Sequence, residues 1–188
     1  MSKVVIGSIV TMVVLFGVLI AVNKSKPQEP QIGTKHSAQG NKHIPQGEAH
    51  EAYNSSPASS GPHYADSSAP TNWGIYTQEV PDEIFIHNEE HGGVVVTYNP
   101  KLLASDQIKK LQTLFAAPFS NKDFQPSRFI LTPRSKNKQA IELASWGWTL
   151  GLDKYDEAKL LKFYEQHSNK APEAGAGPTN KPINQAAS

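Results

Sequence analysis

The sequence predicts an α+β domain, a small antiparallel sheet built from two hairpins with two packed helices, carried behind one N-terminal transmembrane helix. Three observations predict it. Stretches 82–99 and 128–148 each hold runs rich in β-branched and aromatic residues around turn-prone residues. Two segments after residue 104 repeat apolar side chains at helical spacing. An uncharged apolar run stands near the start.

That run, VVIGSIVTMVVLFGVLIAV from Val4 to Val22, has nineteen residues. At about 1.5 Å per helical residue it spans the hydrocarbon core of a bilayer. A cleavable signal peptide has a shorter apolar region followed by a small-x-small site. Here Leu19 precedes Ala21 by two places and no such site follows, so residues 1–23 are expected to stay as an uncleaved anchor. Lys3 on one side and Lys24 and Lys26 on the other leave the local charge rule for orientation undecided.

Residues 24–47 are rich in Lys, Gln, Pro and Gly with two isoleucines, too little apolar surface to fold alone, and are expected to form a flexible stalk in which His36 and His43 are solvated. Residues 169–188 are similarly poor in apolar side chains and are expected to be a disordered tail. The globular domain is placed at 48–168. Within it, DEIFIHNEEHGGVVVTYN (Asp82–Asn99) reads as a hairpin around NEEHGG. Ser105 caps a helix carrying Ile108, Leu111, Leu114 and Phe115, which Pro118 ends. Arg128–Leu131 and Gln139–Trp148 read as a second hairpin around RSKNK. A last helix begins at Asp153 and carries Leu160, Phe163, Tyr164 and His167, the histidine placed to favour the helix dipole when protonated.

A formal net charge of +1 gives no basic field for nucleic acid. With no cysteine, any metal must be held by nitrogen and oxygen. The chemistry-bearing feature is a group of four histidines, His50, His63, His87 and His91. HNEEH matches the H-x-x-E-H pattern of inverted zinc peptidases, which needs a long helix. The flanking FI and GGVVV predict strand, turn, strand instead, so that enzyme is set aside. Across a hairpin turn His87 and His91 still converge. With His50 and His63 from the preceding loop they could bind Zn(II) or Cu(II), Glu90 or Glu89 adding an oxygen or orienting a ring. Equally, the histidines could be structural, locking the SSGPH loop to the hairpin by hydrogen bonds. A serine hydrolase would pair Ser59 or Ser60 with His63, His87 or His91 and with Glu90, but no G-x-S-x-G is present. Trp146 and Trp148, two apart on one strand, are expected to share a face and, with Trp73, to pack the core.

The segments YNSSPASSGPHY and HNEEHGGVVVTYNP, followed by ELASWG before a C-terminal helix, resemble the family called domain of unknown function 3105. The matched positions are Tyr53, Pro57, Ser60, Gly61 and His63, then His87, Asn88, Glu90, His91, Gly92 and Val94, with His50 where such proteins tend to carry a histidine. The likeness covers about 48–168. The chain departs from the pattern at Ala58 and the paired serines, and at Glu89, where leucine is frequent. The resemblance implies an extracytoplasmic domain on a membrane tether and supplies no activity. The expected protein is therefore a single-pass protein of the cell membrane with its domain outside the cytoplasm, partnered by the membrane through its N-terminal helix and not by nucleic acid. It would bind Zn or Cu through His50, His63, His87, His91 and Glu90. A hydrolase built on the same His/Glu cluster and an envelope interaction module with structural histidines are the alternatives.

Overall fold

The computed structural model describes residues 29–116 and 127–176, together with the backbone of 183–185. The run at 4–22 lies outside the described residues, among which no helix is long and apolar enough to cross a membrane. By its contacts the chain divides after Gln31, and the fold described is that of the unit beginning at Ile32.

In chain order the elements are β1 (Thr34–Lys35), β2 (His43–Ile44), β3 (His63–Tyr64), β4 (Gly74–Tyr76), α1 (Asp82–Glu90), β5 (Val94–Tyr98), α2 (Ser105–Ala116), β6 (Phe129–Pro133), β7 (Ile141–Ser145), β8 (Trp148–Leu152), α3 (Glu157–His167) and β9 (Ile183–Gln185). One sheet runs in the order β1-β8-β7-β5-β6-β4-β9, and β2 and β3 pair separately. The class is α+β, as expected, but the sheet is mixed: β6 is parallel to both β4 and β5, whereas β7 is antiparallel to β5 and β8.

The predicted first hairpin is a helix followed by a strand. Pro81 starts α1 with its carbonyl accepting from Ile84 and Phe85, and Asp82 and Glu83 favour the positive N-terminal end of the helix. At the other end Gly92 N–H donates to Glu89 O and Gly93 N–H to Asn88 O, both at 2.9 Å. With Gly92 at φ +87°, this is a Schellman cap. Gly93 is equally constrained: a Cβ there would lie 2.5 Å from the Trp73 ring. The glycine pair thus ends a helix where the sequence suggested a turn between strands.

The predicted second hairpin also divides differently. β6 and β7 do not pair with one another but flank β5, whose VVVTY is buried at every position, the mark of a central strand. The run Gln139–Trp148 is broken by Gly147 at φ +74°, and the hairpin is β7–β8, with Ser145 opposite Trp148. Trp146 and Trp148 therefore lie on either side of a turn and pack against opposite cores.

Alternation along the strands separates the two cores. Val94, Val96, Phe129 and Leu131 pack with Leu111 and Phe115 of α2 and Leu160, Phe163 and Tyr164 of α3. Val95 and Ile130 face the other way, against Ile84, Phe85 and Ile86 of α1 and Trp73 and Tyr76. The last helix starts later than expected, at Glu157, where the Asp156 side chain accepts from Lys159 N.

Described parts of both expected tethers belong to the fold. β1 pairs with β8, and His36 of the presumed stalk bonds Thr149 Oγ1 through its ring at 2.7 Å. Ile44 is buried in β2. His167, expected to favour the helix dipole when protonated, is buried and donates from Nε2 to Ile32 O at 2.8 Å, and burial lowers its basicity and so disfavours the protonated form. In the presumed tail, Asn169, Glu173 and Gly175 donate backbone N–H groups to Gly92 O, Glu90 O and His91 O. They satisfy carbonyls that the end of a helix leaves without partners. β9 adds a parallel edge strand beside β4.

Candidate metal centre

Three short segments converge at the end of α1. β2 and β3 lie in parallel with His43 opposite His63, and the last turn of α1 adds His87 and Glu90, three apart and so neighbours on one helix face. His43, His63, His87 and Glu90 each offer one ligand atom, and these atoms lie within 4.8 Å of one another. The His43 and His63 ring centroids are 4.9 Å apart, His43 and His87 4.9 Å, and His63 and His87 5.0 Å. Glu90 is fully buried; its Oε2 is 3.1 Å from His63 Nε2 and 3.3 Å from His43 Nε2, and its Oε1 has no hydrogen-bond partner.

Backbone carbonyls aim two of the rings. His63 Nδ1 bonds Gly61 O at 2.9 Å, and His87 Nδ1 bonds Tyr64 O at 2.7 Å. A carbonyl only accepts, so each Nδ1 carries the proton and each neutral ring keeps its lone pair on Nε2. In His63 that lone pair faces the Glu90 carboxylate, acceptor against acceptor, and something positive between them is needed. A proton is disfavoured: burial lowers the pKa of His63, the Gly61 bond and Glu90 only partly offsetting it. Burial likewise pushes His87 down to about 4, despite its bond to Tyr64. Burial raises Glu90, while the Asn41 side chain lowers it and a proton on His63 or His43 lowers it further, and the carboxyl ends below its ordinary value. Neutral imidazoles beside an ionised carboxylate are the protonation state that a divalent metal requires.

A second group, Glu90, His91 and Glu173, shares the same carboxylate. His91 Nε2 lies 3.3 Å from Glu173 Oε2, and its Nδ1 is buried with no partner.

Of the residues expected from sequence, His63, His87 and Glu90 come together, and His91 falls in the second group. His50 falls in neither group: its ring bonds Glu51 O and Glu83 and packs on Tyr53, so it staples the loop to the start of α1. Its place is taken by His43, assigned on composition to the stalk; the trace in the sequence is the apolar Ile44 beside it. Glu89 also stays out of both groups. It is fully buried with both oxygens unpartnered, and burial, helped by Asp82, pushes its carboxyl well up. Ser60 Oγ accepts from Gln39 N and Ser59 pairs with Ser55, so neither hydroxyl is paired to a histidine as a nucleophile's would be. Asn88 clamps the loop before β4 by a reciprocal pair of bonds to the Thr71 backbone.

A family model described as a protein of unknown function, DUF3105, matches residues 43–180, a span that opens at His43. No curated protein and no solved structure matches the chain.

Proposed function

The chain thus belongs to the DUF3105 family, whose description assigns no chemistry, and we propose from the geometry that its domain binds a divalent transition metal, Zn(II) or Cu(II), through His43, His63, His87 and Glu90. The observation that carries this reading is the pair of Nδ1 bonds to the Gly61 and Tyr64 carbonyls, which leaves two Nε2 lone pairs beside a buried carboxylate. Metal-binding histidines are commonly oriented by such a bond from the other ring nitrogen. Three imidazoles and a carboxylate complete a tetrahedral set. A set closed by four protein ligands suits holding the ion better than opening it to a substrate. Borderline ions that accept nitrogen and oxygen without thiolate fit these donors.

The test is metal content. Tag-free protein stripped with a chelator and dialysed against Zn(II) or Cu(II) near neutral pH should retain at least one ion per chain, and His63→Ala and His87→Ala should lose it. Wild-type protein that retains none of either ion would end the proposal and leave the cluster as a hydrogen-bonded structural device. We further propose that the run at 4–22 tethers the domain to the outer face of a membrane, a reading supported by the sequence of that run alone. Protease added to intact cells should then remove the domain, and protection until lysis would reverse the topology.

A further inference from the structure

We propose that Glu90 bridges two cation positions, and that His91 and Glu173 hold the second. The inference rests on the metal reading of the first group and extends it. The ligand atoms of Glu90, His91 and Glu173 lie within 4.8 Å of one another, as those of the first group do. Both imidazole contacts of the first group fall on Glu90 Oε2, and Oε1 is left buried and unpartnered. His91 Nδ1, in a side chain 7% exposed, is also buried and unpartnered. Two orphaned polar atoms at one helix end are costly where water does not reach, and here they belong to the two buried members of the second group. A cation ligated by Glu90 Oε1 relieves that oxygen, and His91 offers it one ring nitrogen, either the unpartnered Nδ1 or the Nε2 that lies 3.3 Å from Glu173 Oε2.

Glu173 is held in place for this role. Its backbone N–H donates to Glu90 O at 3.0 Å, so the segment that closes the helix end also brings its carboxylate to His91. The charges are in favour. Glu90 and Glu173 contribute two negative charges against the Arg128 guanidinium, which bonds His91 O at 3.2 Å and opposes a nearby cation. One imidazole and two carboxylates form a harder, more oxygen-rich set than the first, and Glu173 is 49% exposed. The second position should therefore be the weaker one, open to water, and suited to Zn(II) or another divalent first-row ion with a taste for oxygen.

The experiment titrates the chelator-stripped full chain with Zn(II), reading bound metal by equilibrium dialysis and elemental analysis. Wild type should bind two ions per chain, the second more weakly. Glu173→Gln, a half-exposed change expected to leave the metal-free fold intact, should weaken the second position at least tenfold and spare the first, and His91→Gln should do the same. Glu90→Gln should weaken both. A wild-type stoichiometry of one would overturn the bridge and leave the first site standing, as would two ions undisturbed by Glu173→Gln and His91→Gln together. Binding of none would overturn the first reading and the bridge with it.

Discussion

His63 Nε2 stands 3.1 Å from Glu90 Oε2, and neither side chain has exposed surface. With His63 Nδ1 committed to Gly61 O, the neutral ring and the ionised carboxylate present acceptors to each other at hydrogen-bond distance. Glu90→Gln changes that conflict into a bond, because an amide N–H can donate to the imidazole. The variant should melt at or above the wild-type temperature without metal, and should lose most of the rise that Zn(II) or Cu(II) gives wild type. A variant that melts far below wild type without metal would show that the carboxylate is already satisfied.

His43 and His50 separate the proposed site from the one expected from the sequence. Metal that binds only the folded chain stabilises it by about 2.7 kcal/mol at a hundredfold excess over its dissociation constant. His43→Ala should lose most of that gain in chemical unfolding, and His50→Ala should keep it while losing a little metal-free stability with its bond to Glu83. The reverse pattern would move the site to the loop around Tyr53.

Acid should weaken the metal-free fold, and the sign follows from burial. His87 is pushed down to about 4, whereas the unfolded chain titrates near 6.5. Between those values the unfolded state takes up a proton that the folded state declines, so stability falls as pH falls through this window and levels off below it. His63 and His91, lowered by burial too, act in the same direction. Unfolding free energies in urea with a chelator present, taken from pH 7 to 4, should fall more steeply in wild type than in His87→Gln. Parallel profiles for the two proteins would refute the assignment.

Glu89 pulls the other way. Its folded carboxyl titrates well above the ordinary value, so its contribution is whole below about 4.5 and is lost as pH rises through the folded value. Glu89→Gln, which cannot ionise, should raise the unfolding midpoint at pH 7, and the gain should fade toward pH 4.5. An equal effect at both pH values would show that packing rather than charge decides.

How much of this was legible in the sequence depends on which faces each element buries. Helix α2 was found because water on one side leaves Ile108, Leu111 and Phe115 as a stripe. Helix α1 is not legible because eight of its nine residues, all but Glu83, are buried, so no exposed face marks its period. The usable signal was at its ends: Pro81 with Asp82 and Glu83 before, Gly92 and Gly93 after. The pairing of β6 with β5 was hidden because a parallel partner is set by crossover, not by the turn next in sequence. His63, His87 and Glu90 were legible as clustered chemistry. His43 and Glu173 were not, since each sits in a stretch whose polar composition hides its attachment to the domain through backbone hydrogen bonds, which carry no residue signature.

Glu90 gathers partners 27 and 47 residues earlier in the chain and a backbone donor from beyond α3. Loops of that length must close before such contacts form, and interactions of this kind tend to be made late, after the folding barrier. An ion held there would strengthen what the transition state lacks, so it would change the rate of leaving the native state far more than the rate of reaching it. Its effect would then be measured as a lifetime: the loaded domain would outlast the empty one under heat or protease while folding no faster.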